Sequence, residues 1–110
     1  MTLSQLKTAL EGVNSNAFKD KVAYRFFPVG GAPKLPFICI METETDNFTA
    51  DSKVYKKRQY VDVELYARYK DPEIETAIEA MFDANEIIWD KDEEYIESEE
   101  ALRITYEVVI

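Results

Sequence analysis

The sequence has no histidine and only one cysteine, so it lacks the side chains on which many catalytic and metal sites depend. Without histidine, neither a Ser-His-Asp triad nor a Cys-His pair can form, and a zinc site loses its usual ligands. The cysteine, Cys39, lies in the apolar run Pro36–Met41, where we expect a buried and unreactive thiol. These absences exclude most hydrolase classes, and we expect neither enzymatic activity nor a cofactor.

Positive charge is also scarce, since 13 basic residues stand against 22 acidic ones and the net charge is −9. A chain with this charge repels a phosphate backbone, so we expect no specific nucleic-acid binding. The beginning of the chain lacks the pattern of a signal peptide, and no apolar run approaches the ~18 residues needed to span a bilayer. We therefore expect a soluble protein of the cytoplasm without membrane contact.

Glycine and proline are few, with 3 and 4 residues, which argues against a disordered or fibrous chain. The length of 110 residues fits one domain, residues 1–110, with room for one modest core.

Two segments predict amphipathic helices. The first follows a capping box formed by Thr2 and Gln5 and ends near Gly12. Its apolar residues recur at spacings of three and four: Leu3, Leu6, Leu10 and Val13. The second begins at Asp71-Pro72, a strong helix start, and ends near Asn85. Its apolar stripe consists of Ile74, Ala77, Ile78, Met81 and Phe82.

Strand-like segments lie between and after the helices. They are Val22–Phe27, Phe37–Met41, a run from Val54 to Arg68, the short pair Ile87–Trp89 and Tyr95–Glu97 around a turn at 90–93, and Arg103–Ile110. This order predicts an α+β fold in which two helices pack on one face of a mostly antiparallel twisted sheet.

The segment 43–52 is polar, and we interpret it as an exposed arm or a long hairpin loop. The sequence's one basic cluster follows it and contains Lys53, Lys56, Lys57 and Arg58. This cluster could contact acidic surface on a neighbouring subunit, end a solvated strand or touch phosphate. The acidic segment Asp90–Glu100 of another copy is a candidate counterpart. Opposite charges on different parts of one chain favour head-to-tail association, which closes into a ring when the rotation permits.

The carboxylates of the acidic segment raise two further interpretations. A glycosidase would need a buried acid in a cleft, whereas these residues are typical of a solvated surface. Asp90, Asp92 and Glu94 match the first three ligand positions of a calcium loop. Tyr95 stands where that loop needs glycine and Ala101 where it needs glutamate, so we reject an EF-hand and leave weak cation binding open.

Several segments together resemble the tail-terminator, or tail-completion, proteins of the head-tail joining cluster of long-tailed phages and prophages. The segments that carry the resemblance are Leu35–Cys39, Asp46–Phe48, Ala50–Asp51, Lys53–Tyr55, Val63–Tyr66, Lys70–Glu73 and Glu94–Glu99.

The resemblance implies a structural α+β subunit that forms a homo-oligomeric, hexameric ring on the tail tube. Such a ring stops tube growth and docks onto the head connector, so the implied partners are other copies of the chain, the tail-tube protein and the head connector protein. The implied location is the host cytoplasm during assembly and then the tail-head junction of the virion. Carried onto this sequence, the ring contacts fall on the arm and the following strand, with Phe48, Lys53, Tyr55, Lys56, Lys57 and Arg58 as candidate interface residues.

Two alternatives remain open at this stage. Another neck or connector adaptor protein would share the same partners. An acidic inhibitor that mimics DNA would explain the net charge of −9, but it needs carboxylates along one long face, and the sequence spreads them over both helices and the last strands.

Overall fold

The computed structural model describes residues 1–50 and 53–110, with side chains described for residues 1–44 and 58–110. The elements are α1 Leu3–Asn16, β1 Val22–Tyr24, β2 Phe37–Ala50, β3 Lys53–Ala67, α2 Pro72–Ala84, β4 Ile88–Ile96, a 3-10 turn at Glu97–Glu99, and β5 Ala101–Val109. The five described strands form one sheet in the order β1-β2-β3-β5-β4, antiparallel except for the β1–β2 pair. The predicted α+β class is confirmed, and the packing of both helices on one face stays a prediction.

The first helix begins at the predicted capping box. The Thr2 hydroxyl accepts from the Gln5 amide at 3.1 Å, and the Gln5 side chain accepts from the Thr2 amide at 2.9 Å. Regular helix ends at Gly12, as predicted, because Val13 is extended (ψ 151°) and Asn14 is left-handed (φ 50°). Leu6 and Leu10 are fully buried, so the apolar stripe belongs to the core.

The second helix also follows its sequence signal. The Asp71 carboxylate accepts from the Ile74 amide at 3.2 Å, and Pro72 occupies the first helical position. The helix ends before Asn85, whose side chain donates to the Met81 carbonyl at 2.9 Å. Ile78 and Phe82 are fully buried.

The core joins residues of both helices to alternate residues of three strands. Their shared feature is near-complete burial within one hydrophobic cluster: Leu6, Leu10, Ile78 and Phe82 from the helices, with Ile38, Ile40, Val61, Val63, Leu65, Ile104, Tyr106 and Val108 from β2, β3 and β5. The register brings Ile40, Val63 and Tyr106 into one row across the sheet. The Tyr106 ring lies edge-on to the rings of Phe82 (5.4 Å between centroids) and Trp89 (5.8 Å).

The prediction for the segment after α2 was wrong. Instead of two short strands around a turn, β4 is one continuous strand that pairs residue by residue with β5, from Ile88 opposite Val109 to Ile96 opposite Ala101. Its charged residues have low strand propensity, which suggested a turn. Backbone pairing along β5 and the ion pairs of alternate side chains, described below, compensate for that propensity.

The first strand is shorter than predicted. It ends at Tyr24 because Arg25 is left-handed (φ 66°) and the Phe26 amide donates to the Tyr24 carbonyl at 2.8 Å, a tight three-residue turn. Within the described ranges, neither helix is long and apolar enough to cross a membrane.

Candidate functional site

The segment predicted as an arm or a hairpin loop is strand over most of its length. Residues 43–50 belong to β2 and pair with the beginning of β3. The β5 pairing of β3 begins at Tyr60, with Gln59 and Ile110 exchanging backbone hydrogen bonds of 2.9 and 3.0 Å. In the described part of the chain, residues 46–50 and 53–58 therefore pair only with each other, and we call them the ribbon. At ~3.3 Å per residue, the ribbon extends about 20 Å beyond the sheet body.

The ribbon carries every candidate interface residue that the sequence suggested. In the backbone register, Phe48 lies opposite Lys56, Ala50 opposite Lys53, Asn47 opposite Lys57, and Asp46 opposite Arg58. A register shift between Phe48 and Thr49 leaves Tyr55 without an opposite residue. The side chains of Phe48, Lys53, Tyr55, Lys56 and Lys57 lie outside the described residues, as do residues 51 and 52 of the predicted arm. Arg58 is described, is half-buried and has an interaction partner.

The sheet face opposite the core is acidic. Because successive side chains alternate between faces, the residues between the buried ones of β3 and β5 lie on this second face. Seven carboxylates occupy it, and we call the set the acidic face: Glu44, Asp62, Glu64, Asp90, Asp92, Glu94 and Glu107. The register aligns Asp62, Glu107 and Asp90 in one row across three strands.

From Tyr60 onward, Arg103 is the one basic residue that the register places on the acidic face among the described side chains. Arg58, two residues before Tyr60, follows on the same face at the base of the ribbon. Its guanidinium lies 3.9 Å from Glu64 and 3.2 Å from Glu94. The other five carboxylates, which are Glu44, Asp62, Asp90, Asp92 and Glu107, make neither an ion pair nor a side-chain hydrogen bond with the described residues. Among the described side chains, the face therefore carries an excess of negative charge.

A shallow cavity of about 440 Å³ lies in the acidic face at the base of the ribbon. Four of the carboxylates line it: Glu44, Asp62, Asp90 and Glu107. Apolar side chains border them, and one of these, Ile88, is 77% exposed. A cavity with acidic walls and an apolar border suits a long basic side chain, whose methylene stem and charged end need different surroundings.

The far end of the same sheet face is apolar and covered. Phe37 stacks on Tyr66 at 5.2 Å between ring centroids, and Phe27 lies edge-on to Phe37 at 5.3 Å. Cys39, beside them, is 5% exposed, which confirms the predicted buried thiol. Burial, together with the Glu64 carboxylate, raises the pKa of Cys39 to about 11 and that of Tyr66 to about 12.

An ion-pair network centred on the buried Glu75 lies on the core side, between α2 and β4. Glu75 is 2% exposed, and its carboxylate lies 2.9 Å from the Lys70 ammonium and 3.1 Å from the Lys91 ammonium. Lys91 also contacts Glu79 at 2.8 Å, and the Tyr106 hydroxyl donates to Glu79 at 2.8 Å. Hydrogen bonds to Glu93 and Glu75 raise the pKa of Lys70, and hydrogen bonds to Glu79 and Glu75 raise the pKa of Lys91. Burial raises the pKa of Tyr106.

The sequence reasoning missed this network. The predicted turn at 90–93 contains Lys91, so no contact between Lys91 and α2 was expected. The available signal was the spacing of four between the two glutamates, together with a lysine in an alternating charged segment.

A larger cavity, of about 650 Å³, opens beside the start of α2. Leu65, Ile74 and Ile104 contribute apolar walls, and two acids, Asp71 and Glu75, also line it. Asp71 caps the helix and Glu75 is held between two ammonium groups, so neither is an unengaged carboxylate. The arrangement thus lacks the pair of free acids that glycoside hydrolysis requires.

Within the described residues, no group of three or more histidine, cysteine, aspartate or glutamate side chains is arranged to hold a metal ion. Asp90, Asp92 and Glu94 alternate along an extended strand, which separates them by ~6.6 Å steps instead of wrapping them around one point. Weak cation binding by this segment stays an untested alternative.

No protein-family model matches the chain, and no curated protein matches its sequence significantly.

Proposed function

We propose that this protein is a structural tail-terminator subunit of a long-tailed phage or prophage. It caps the tail tube as a homo-oligomeric ring and joins the tail to the head connector. It acts in the host cytoplasm during assembly and then at the tail-head junction. The proposal starts from the resemblance of the segments between Leu35 and Glu99, none of which is a catalytic signature.

The ribbon is the observation that carries the proposal. The resemblance puts the ring contacts on the arm, 43–52, and on the following strand, 53–68. Within this stretch, residues 46–50 and 53–58 form a two-stranded projection whose outer edges pair with no third described strand. Unpaired strand edges offer backbone donors and acceptors to a neighbouring chain. A subunit that must contact identical copies on two sides needs such a projection and a surface to receive it.

The charge of the protein suits the proposed position. A ring of subunits with a net charge of −9 each repels DNA that passes through it, so the genome is not held by the channel wall. Screening limits this repulsion to about 8–10 Å at physiological salt, which is enough for a narrow channel.

The test is to delete the reading frame from the genome that carries it and to image the assembled particles by negative-stain electron microscopy. We expect tails of abnormal length that do not attach to heads, and restoration of normal tails by the gene supplied in trans. Tails of normal length that fail to join heads would instead identify a connector adaptor. Normal, attached tails would refute both assignments.

A DNA-mimic inhibitor is a second candidate, and the acidic face favours it. The sequence had suggested scattered acids, but the fold gathers seven of them on one surface. They form a patch four strands wide, with ~4.8 Å between strands, instead of the extended double row of a DNA backbone. Affinity capture on the immobilised chain separates the two functions, because a mimic retains a DNA-binding enzyme and a terminator retains tail-tube protein.

A further inference from the structure

We propose that the acidic face of one copy receives the basic ribbon of a second copy, so that the chain associates head to tail through these two surfaces. This inference rests on the proposed function as a self-assembling subunit and names the surface that receives each neighbour.

Charge complementarity within the one chain identifies the occupant. Five carboxylates of the acidic face have no partner among the described residues. The ribbon strand of β3 contains Lys53, Lys56, Lys57 and Arg58, which make up 4 of the 13 basic residues in the sequence. The ribbon of a second copy therefore brings positive charge to the acidic face of the first. Complementary patches of this kind both steer association and fix its register.

The ribbon projects away from most of the acidic face of its own copy. The ribbon leaves the sheet as a continuation of β2 and β3, past the row that contains Glu44 and Tyr60. It extends along the strand direction, whereas the carboxylates of the acidic face project perpendicular to the sheet. We therefore assign the pairing to two copies.

The cavity at the base of the ribbon can accommodate a side chain from the second copy. Its four carboxylates surround about 440 Å³, and Ile88 on its border is 77% exposed. A lysine or arginine that enters buries its methylene groups against Ile88 and Val109 and brings its charge among the acids. Tight packing of this kind makes the contact specific, beyond the general attraction of opposite charges.

Joining a projection to a different surface of the next copy is a heterologous contact. Such contacts repeat in one direction and generate a closed ring or an open filament according to the rotation between copies. This geometry agrees with a ring and does not produce a twofold dimer.

Charge reversal tests the inference with two complementary variants. The face variant carries Asp90→Lys and Asp92→Lys, both at exposed positions without a partner among the described residues. The ribbon variant carries Lys56→Glu and Lys57→Glu. Self-association is measured by sedimentation velocity over a concentration series at low and high salt. We expect the wild type to associate at low salt and to weaken at high salt, and each variant alone to associate at least tenfold more weakly.

Mixing the two variants is the decisive step. In the mixture, the basic face of one variant meets the acidic ribbon of the other, and the unchanged ribbon meets the unchanged face, so association should return. The matched control carries Glu86→Lys and Glu99→Lys, at exposed positions outside the acidic face. It changes the net charge by the same amount as the face variant. We expect it to associate like the wild type. Circular dichroism verifies that every variant folds.

The inference is overturned if the wild type stays monomeric, if either variant associates like the wild type, if the control weakens as much as the face variant, or if the mixture does not recover. Its failure is distinguishable from failure of the proposed function. Tails of abnormal length in the deletion strain, with association that ignores these charges, would retain the terminator and reject the docking surface. Charge-dependent association with normal tails in the deletion strain would do the reverse.

Discussion

Replacing Tyr106 by phenylalanine isolates the hydrogen bond that ties the sheet to α2. Tyr106 is fully buried, and its hydroxyl donates to the Glu79 carboxylate at 2.8 Å. Phenylalanine keeps the ring and its edge-on contacts with Phe82 and Trp89, so the change removes the hydroxyl alone.

The size of the loss in unfolding free energy depends on the contacts that Glu79 keeps in the variant. A hydrogen bond to a charged group contributes about 1.5–3 kcal/mol, and the cost is greatest when the remaining partner is left unsatisfied. Glu79 keeps its contact with Lys91 at 2.8 Å, and its side chain is 19% exposed. We therefore expect the free energy of unfolding to fall by about 1.5–2 kcal/mol, at the low end of that range.

Urea denaturation followed by circular dichroism measures this loss. With an m-value of about 1.5 kcal/mol/M, the midpoint should fall by about 1 M urea. The control Tyr95→Phe, at a residue 54% exposed, should stay within about 0.5 kcal/mol of the wild type. A Tyr106→Phe protein as stable as this control would refute the assignment of the hydrogen bond to Glu79.

Three further predictions concern acid-base behaviour, thiol reactivity and helix capping. In the folded state the pKa of Cys39 is raised to about 11 and that of Tyr66 to about 12, so the protonated form of each group stabilises the fold. This contribution is complete below the pKa values of the unfolded chain and is lost as the pH rises through the folded values. Stability measured by urea denaturation should therefore fall as pH rises from about 9 to 12, and a flat profile there would contradict the burial of these groups. Cys39 should react with a thiol reagent at pH 8 only at the rate at which the protein opens and rapidly in denaturant, so immediate labelling of the native protein would show an accessible thiol. Asp71→Ala should cost about 1 kcal/mol by removing the cap on the Ile74 amide, whereas Asp71→Asn should cost much less, and equal losses in thermal melts would exclude capping as the cause.

Local signals in the sequence predicted the helices well. The Thr2 capping box, the Asp71-Pro72 start and the end of the first helix at Gly12 depend on neighbouring residues alone, so they can be read without knowing the fold. The sequence also alternates between apolar and polar residues along β3 and β5, and this period of two matches the burial of Val61, Val63 and Ile104 on one face.

Features that depend on distant pairing were not predictable in the same way. The ribbon has no apolar alternation, since a two-stranded extension without a covering layer has no core to fill, and its polar sequence indicated a loop. Continuous β4 was missed for a related reason, because its stability comes from β5 and from Lys91 reaching Glu75 and Glu79. The acidic face emerges only when the register places Asp62, Glu107 and Asp90 side by side, which no single segment reveals.

The charged strand β4 also has a consequence for how the protein behaves in a crowded cell. It is an edge strand of the sheet, and the unpaired backbone groups of an edge strand can form hydrogen bonds with another extended chain. Residues 90–94 are all charged, and pairing with another strand would remove water from these side chains. The free-energy cost of that dehydration disfavours pairing at this edge. The charged edge thus protects the protein from stacking edge to edge into fibrils.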